Sequence, residues 1–364
     1  MTGRPAFRAF APGRVNLIGE HTDYNLGYSL PIALRLGTTA VFTPDESATV
    51  IGAVSATEPD ECEIALSTVP GEVTGWGAYV AGCVWALREA GVPVPGGRLQ
   101  ISSDVPVGAG LSSSAALECA VLLALAEASG APVGDRTAVA KLAQKAENHY
   151  VGAPTGLLDQ LASLYGEPDR ALLIDFRSVQ VETVPAALGE AYRLLVIDSH
   201  APHRHSAGEY RERRDSCAAA AASLGVASLR EAGPDDWGRL TDPVHARRAR
   251  HVLTENARVL AAADALRDGD YPVFGELMNA SHESMRDDFE ITTDHIDHLA
   301  ALARRMGALG ARMTGGGFGG SVIALADVDA ADRIIAELPD AAVAAGHPAP
   351  TVRAVRPGPG AHLR

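Results

Sequence analysis

Strand-like alternation opens this chain, and long helical patterns crowd its second half. That order constrains the fold more than any single motif. From Phe7 to about Val54 apolar and polar residues alternate as in paired strands, with turn signals at Pro12-Gly13 and Pro44-Asp45. Helical spacing follows over Trp76–Ala90, Ser112–Ala128 and about Arg136–Tyr150, with a strand over Arg98–Ser103. Strand patterns return at Ala171–Phe176 and Tyr192–Ser199. Helices then dominate, over Ser206–Leu224, Ala246–Arg267, Tyr271–Met285, Asp294–Gly307 and Ala330–Leu338, with a strand-and-loop segment at Ala311–Ala326. Local strand pairs first and helices later predict an α+β fold, not a regular doubly wound sheet.

At 364 residues the chain has room for two domains, with a boundary expected near residues 180–190, here set as 1–185 and 186–364. A formal charge of −14 argues against nucleic acid or an anionic membrane as partner. The four cysteines, Cys62, Cys83, Cys119 and Cys217, have no CxxC pairing and read as reduced thiols. With no apolar leader pattern and no stretch long enough to span a bilayer, the expectation is a cytoplasmic protein. Lys141 and Lys145 are the only lysines, and no GxxxxGK[ST] loop or protein-kinase signature is present.

Three blocks carry chemistry. In the first, PGRVNLIGEHTDYNLGYSLP, the apolar run Val15–Ile18 breaks at Gly19 and is followed by Glu20, His21, Thr22 and Asp23. Four adjacent hydrogen-bonding side chains between strands suit a small polyhydroxylated ligand, because a wrong ligand would leave them unpaired. A solvated acidic loop accounts for this block equally well on its own. The second block, VPVGAGLSSSAALE, runs from Val105 to Glu118. Glycines permit close backbone approach, and three serines open a helix whose first amides lack intrahelical partners. Amides, hydroxyls and the positive helix end together make an anion cradle, and a hydroxyl there can ligate Mg²⁺. The alternative is a turn with serine caps. The third block, MTGGGFGGSV, has five glycines in six positions, either a hairpin closing on a ligand or a tight structural turn.

Taken in this order, the blocks resemble the galactokinase family of the GHMP kinase superfamily (galactokinase, homoserine kinase, mevalonate kinase and phosphomevalonate kinase). GRVNLIGEHTDYN is similar to the galactokinase signature, GAGLSSSA to the superfamily phosphate loop and GARMTGGGFGGS to its third motif. GLLDQLAS and SHESMRDDFEIT also look like galactokinase segments, so the similarity spans nearly the whole chain. It implies a two-domain GHMP kinase-like fold with the site in the cleft between domains, and ATP-dependent conversion of α-D-galactose to galactose 1-phosphate. It implies sugar contacts from Glu20, His21, Asp23, Gly156 and Tyr210. Asp159 would be the general base, with Arg14 beside it to stabilise charge. Gly108, Ala109, Gly110, Leu111, Ser112, Ser113 and Ser114 would wrap the ATP phosphates, and Ser114 and Glu147 would hold Mg²⁺. The protein would act as a monomer on small molecules. A weak base suffices, since a loose phosphoryl-transfer transition state needs mainly positioning and charge stabilisation.

Departures from the family pattern are modest. Thr155 stands where cysteine is common, Ser321 replaces a frequent cysteine, and Leu26 takes a usually polar or small position. The segment after Pro44 is short, which leaves the adenine contacts open. One alternative is a 1-kinase for a related sugar such as N-acetylgalactosamine. Another is a non-catalytic galactose and ATP sensor; such relatives lack a Ser-Ala pair in the phosphate loop, whereas this chain keeps Ser114-Ala115 and Asp159. His200, His203 and His205 have metal-like spacing, but Pro202 interrupts any shared helical face and no cysteine cluster accompanies them.

Overall fold

The computed structural model describes residues 6–131, 134–201 and 206–364. The chain begins with β1 (Phe7–Asn16), a short β2 (Tyr28–Ser29) and the long β3 (Pro31–Pro44), followed by β4 (Val50–Ser55) and β5 (Cys62–Ala65). Helix α1 (Gly77–Glu89), β6 (Gly97–Ser103), α2 (Ser113–Ser129), α3 (Arg136–Lys145) and α4 (Leu158–Tyr165) come next. A hairpin of β7 (Arg170–Asp175) and β8 (Gln180–Pro185) ends this half. The second half contains β9 (Tyr192–Asp198), α5 (Ser206–Leu224), α6 (Pro243–Asp268), α7 (Tyr271–Ser284), α8 (Asp294–Arg305), β10 (Gly310–Thr314), β11 (Ser321–Asp327), α9 (Val328–Ala344), β12 (Thr351–Val355) and β13 (His362–Leu363).

Three sheets result: a six-stranded one in the order β13-β1-β3-β6-β4-β5, a four-stranded one in the order β10-β11-β9-β12, and β2-β7-β8. All pairings are antiparallel except β4 with β6. The second sheet opens at Tyr192, yet the tail crosses back. Gly358 N donates to Ala33 O at 2.8 Å, Ala361 N to Ser163 O at 2.8 Å, and β13 pairs with β1. The last residues therefore belong to the first sheet.

Packing explains the elements. Helix α2, rich in alanine and leucine, is buried along most of its length, so it needs no polar face. It lies with α1, α3 and α4 against the first sheet. A separate apolar cluster fills the second half around Met285, Phe289, Leu299 and Met313. A third cluster joins the halves, with Val15, Ile18, Leu30 and Ile32 meeting Val196, Val259, Phe274 and Ile323. This shared core welds the back of the molecule and fixes the two walls of the cleft.

Two expected elements differ. The helix expected over Arg136–Tyr150 changes at Ala146 into a π-helical turn, Ala146–Val151, which buries Glu147 and Tyr150. The helix expected to stop at Leu338 continues through Pro339 to Ala344. Burial of Leu338 and Ala342 on one face offsets the hydrogen bond that proline cannot donate.

Candidate active site

The first polar block is the link between β1 and β2. Strand β1 shifts register against β3 between Pro12 and Arg14. A bulge of this kind re-aims the following side chain. Here it brings the Arg14 amide to Leu111 O at 3.0 Å and the Arg14 guanidinium into the cleft. Arg14 Nη1 donates to Gly110 O at 2.6 Å, Nε donates to Asp159 Oδ1 at 2.8 Å, and Nη2 stands 2.6 Å from the same oxygen. Asp159, near the start of α4, is thereby tied to the phosphate loop. Its side chain is still 25% exposed against 6% for Arg14, so the carboxylate is the member of the pair open to the cleft.

Around this pair lies a cavity of about 490 Å³ lined by Glu20, His21, Asp23, Gly156, Tyr210, Gly108, Gly110 and Leu111 to Ser114, with Gly315 to Gly317 opposite. Two residues expected in the site do not line it. Ala109 is buried beneath the loop, its carbonyl accepting from Ser321 Oγ at 2.7 Å, and Glu147 sits behind Ser114.

His21 adopts a left-handed φ of 59°, which a non-glycine residue keeps only when its surroundings enforce it. Its ring reaches Tyr24 Oη at 2.7 Å and Gly316 O at 3.1 Å and packs on Tyr210 and Phe289. Burial lowers its pKa to about 3, so it stays neutral. Asp23 is pushed up to about 6 by burial and by the neighbouring Asp159. A Cβ at position 156 would overlap the Asp23 carboxylate and force that side chain to move, so glycine there lets Asp23 keep its place in the cavity. Glu20 faces the cavity but is committed to the protein: it accepts from Asn16 Nδ2 at 2.6 Å, Arg312 Nη2 at 2.6 Å and Gly315 N at 2.9 Å. Burial raises its pKa, with Arg312 pulling against that rise.

At the phosphate loop, Ser112 also has a left-handed φ of 57° and leaves the N-terminus of α2 without a side-chain cap. Its hydroxyl is buried without a partner. An uncapped helix start beside an orphan hydroxyl fits an anionic group, since both offer unpaired donors. Across the cleft, the glycine run turns between β10 and β11 with positive φ at Gly315, Gly317, Gly319 and Gly320, so the hairpin is a backbone requirement.

Glu147 accepts from Ser114 Oγ at 3.0 Å, Thr155 Oγ1 at 2.9 Å and Gln160 Nε2 at 2.9 Å. Burial and Asp159 raise its carboxyl to about 7. Among the described residues no group of three or more His, Cys, Asp or Glu is placed to hold a metal. Mg²⁺ bound with a nucleotide does not require such a cage; it takes one or two protein oxygens and completes its shell with phosphates and water. A buried, under-compensated carboxylate touching a phosphate-loop hydroxyl fits that donor set. Of the metal-like histidines, His200 bonds Thr351 Oγ1 at 2.8 Å, and His203 and His205 lie outside the described residues.

The sequence reading missed the support behind the polar loop. Arg312, fully buried on β10, donates to Asn16 O and Leu17 O, each at 3.1 Å, as well as to Glu20. Glu255 on α6 accepts from Gly19 N at 2.9 Å, Ser281 Oγ at 2.6 Å and Arg258 Nε at 2.7 Å. Thr314 Oγ1 lies 3.0 Å from Asn16 O. An arginine inside a strand that ends in a glycine run is a readable signal for Arg312; Glu255, one polar residue in a long helix, offers none.

A helix-opening phosphate loop facing a glycine hairpin across an α+β cleft defines a small-molecule kinase of the GHMP class. Residues 78–167 match the GHMP kinases N terminal domain and residues 262–344 the GHMP kinases C terminal family. Residues 1–44 match the galactokinase galactose-binding signature. Galactokinase from Mycobacterium tuberculosis is 57% identical, over 96% of this chain and 97% of its own length. That from Streptomyces coelicolor is 44% identical, over 96% and 92%. The crystal structure of Lactococcus lactis galactokinase complexed with galactose aligns with a TM-score of 0.90 at 33% identity, covering 98% of this chain and 95% of that one. The chain belongs to the galactokinase family.

Proposed function

We propose that this cleft transfers the γ-phosphoryl group of ATP to the anomeric hydroxyl of α-D-galactose, giving galactose 1-phosphate and ADP. The observation that carries the reading is the Arg14–Asp159 pair, held between the polar loop and the phosphate loop with Asp159 open to the cavity. Asp159 Oδ accepts the proton of the anomeric hydroxyl as its oxygen bonds to the γ-phosphorus and the bond to the β-phosphate oxygen breaks. Arg14 stabilises the charge moving onto the transferred group. Glu20, His21, Asp23, Gly156 and Tyr210 form the sugar wall, with neutral His21 and half-buried Tyr210 giving it shape. Gly108 to Ser114 hold the phosphates through amides and hydroxyls.

Ser114 and Glu147 are the residues suited to Mg²⁺, which when bound offsets phosphate charge during transfer. The undercharged carboxylate and its 3.0 Å contact to Ser114 support that assignment. A division near residue 185 is supported by β9 opening the second sheet, while β13 returns to the first. Four free thiols fit the reducing cytoplasm.

The decisive experiment pairs a sugar panel with Asp159→Asn. Wild-type protein should release ADP with galactose but not with N-acetylgalactosamine or glucose. The variant should bind galactose with little phosphate transfer. Near-normal turnover in Asp159→Asn removes the proton-acceptor role. Tight sugar binding without transfer in the wild type makes the protein a sensor.

A further inference from the structure

Residues 152–157 link the π-helical turn to α4, and Ala153 to Gly156 line the cavity. One side chain pins the middle of this loop. Asn148, half-buried on the π-helical turn, accepts from Thr155 N at 2.9 Å through Oδ1 and donates from Nδ2 to Thr155 O at 3.1 Å. A side-chain amide has one donor end and one acceptor end, so the pair fixes its orientation and grips the Thr155 main chain as a neighbouring strand would. Oδ1 also takes the Thr155 hydroxyl at 3.1 Å, and Gln144 Nε2 adds a longer bond to Thr155 O at 3.3 Å. The turn's own backbone helps at the start of the loop, where Glu147 O accepts from Gly152 N at 3.0 Å and Ala153 N at 3.1 Å.

We propose that Asn148 is a positioning residue for the sugar: by clamping the Thr155 main chain it sets Gly156 against Asp23 and so fixes where the Asp23 carboxylate stands in the cavity. This rests on the assignment of Asp23 and Gly156 to the sugar wall. Gly156 follows Thr155 directly, and its backbone lies so close to the Asp23 carboxylate that no methyl group fits between them. A small shift of Thr155 therefore reaches Asp23 at once. On the other side of the loop, Arg214 of α5, the helix that carries Tyr210, donates to Pro154 O at 3.4 Å. That contact is longer and its side chain is exposed, so it adds to the clamp without replacing it. The clamp is separate from the bond between the Thr155 hydroxyl and Glu147, because loss of the hydroxyl leaves both main-chain bonds to Asn148 in place. One turn of chain thus presents Glu147 toward Ser114 and, from the next residue, Asn148 toward the sugar loop.

Calorimetric titrations with galactose and with MgADP test this. Asn148→Leu removes both main-chain bonds and should bind galactose about tenfold more weakly than wild type, the scale of a lost hydrogen-bond pair. Thr155→Val keeps the clamp and should bind galactose as wild type does. MgADP affinity should move far less than tenfold in either variant. Asn148→Asp still accepts from Thr155 N but turns a second oxygen toward Thr155 O, so it should also bind galactose more weakly than wild type. Wild-type galactose affinity in Asn148→Leu overturns the proposal. An equal loss of galactose and MgADP affinity overturns it too, because it marks general damage to the fold. Should Asn148→Leu fail to fold, wild-type galactose affinity in Asn148→Asp overturns it instead. Unchanged galactose affinity in Asp23→Asn would strike the underlying assignment of Asp23 to the sugar wall.

Discussion

Two groups of carboxylates flank the polar loop, and they are built on opposite principles. Behind it, Glu20 and Glu255 share Arg312, which lies 2.6 Å from the first and 4.0 Å from the second. Arg258 adds a second cation to Glu255 at 2.7 Å. Although burial works to raise Glu255, Arg258, His251 and Arg312 hold it down to about 2. In front, Asp23 and Asp159 line the cleft with Glu147 just behind, among the described residues Arg14 is the one cation bonded to them, and two of the three are pushed up to about 6 and 7. Behind the loop the group is closed, with Glu255 held ionised, whereas beside the cavity where ligands are proposed to bind it is open, with Asp23 and Glu147 left under-neutralised. Glu20, paired with Arg312 yet facing the cavity, stands between the two, its carboxyl also raised by burial.

The largest effect should come from opening the closed side. Arg312→Met removes the cation between Glu20 and Glu255 and leaves buried carboxylates without it. Removing one partner of such a group costs about 3–5 kcal/mol. Chemical denaturation should show that loss, and because Arg312 also carries Asn16 O and Leu17 O, galactose affinity should fall with it. An unchanged unfolding midpoint would dissolve the distinction between the two groups.

Neutralising the open side should act in the other direction. Glu147 has its carboxyl raised from 4.5 to about 7, so the native state holds this proton more tightly than the unfolded chain. That contribution is fully present below pH 4.5 and is lost as pH rises through about 7. Without Mg²⁺ at alkaline pH, Glu147→Gln should therefore be more stable than wild type, by on the order of 3 kcal/mol at 1.4 kcal/mol per pK unit. The gain should vanish in acid, and turnover should fall roughly 10–100-fold as an expected Mg²⁺ ligand is lost. Thermal melts of both proteins across pH, with and without Mg²⁺ and nucleotide, check each part. A variant less stable than wild type at alkaline pH would place Glu147 with the closed group.

Much of the cavity wall was legible in the sequence because its chemistry sits in contiguous blocks. GEHTD, GAGLSSS and TGGGFGG each violate the local rules for strand or helix, so each stands out against its neighbours. Element order was legible for the same reason: the expected and observed limits of α5 coincide, and β9 differs from expectation by one residue. The closed side was not legible. Glu255, Arg258 and His251 are ordinary helix-surface types until the fold turns their face toward Gly19, Glu20 and Ser281. The return of β13 to β1 was equally hidden, since a two-residue strand has no period to read. Long-range closure of charge and chain is a property of packing, and a single sequence states it only at the residue that breaks a pattern, as Arg312 does inside β10.

The smallest predicted effect probes how firmly the open side is held. Thr155 Oγ1 lies 2.9 Å from Glu147 Oε2 and 3.1 Å from Asn148 Oδ1, so one hydroxyl proton serves two acceptors. Thr155→Val keeps the shape and removes the donor, at about 1 kcal/mol for a hydrogen bond of this kind. Because the lost bond favoured the ionised carboxylate, Glu147 should titrate still higher than about 7. The acidic limb of the rate profile should therefore move to higher pH, while the galactose KM stays in place. Thr155→Cys offers a weaker donor and should fall between threonine and valine. Identical pH profiles for all three would mean that Ser114 and Gln160 alone set the Glu147 carboxylate. The open group would then be narrower than the geometry suggests, with Ser114 and Gln160 carrying its support.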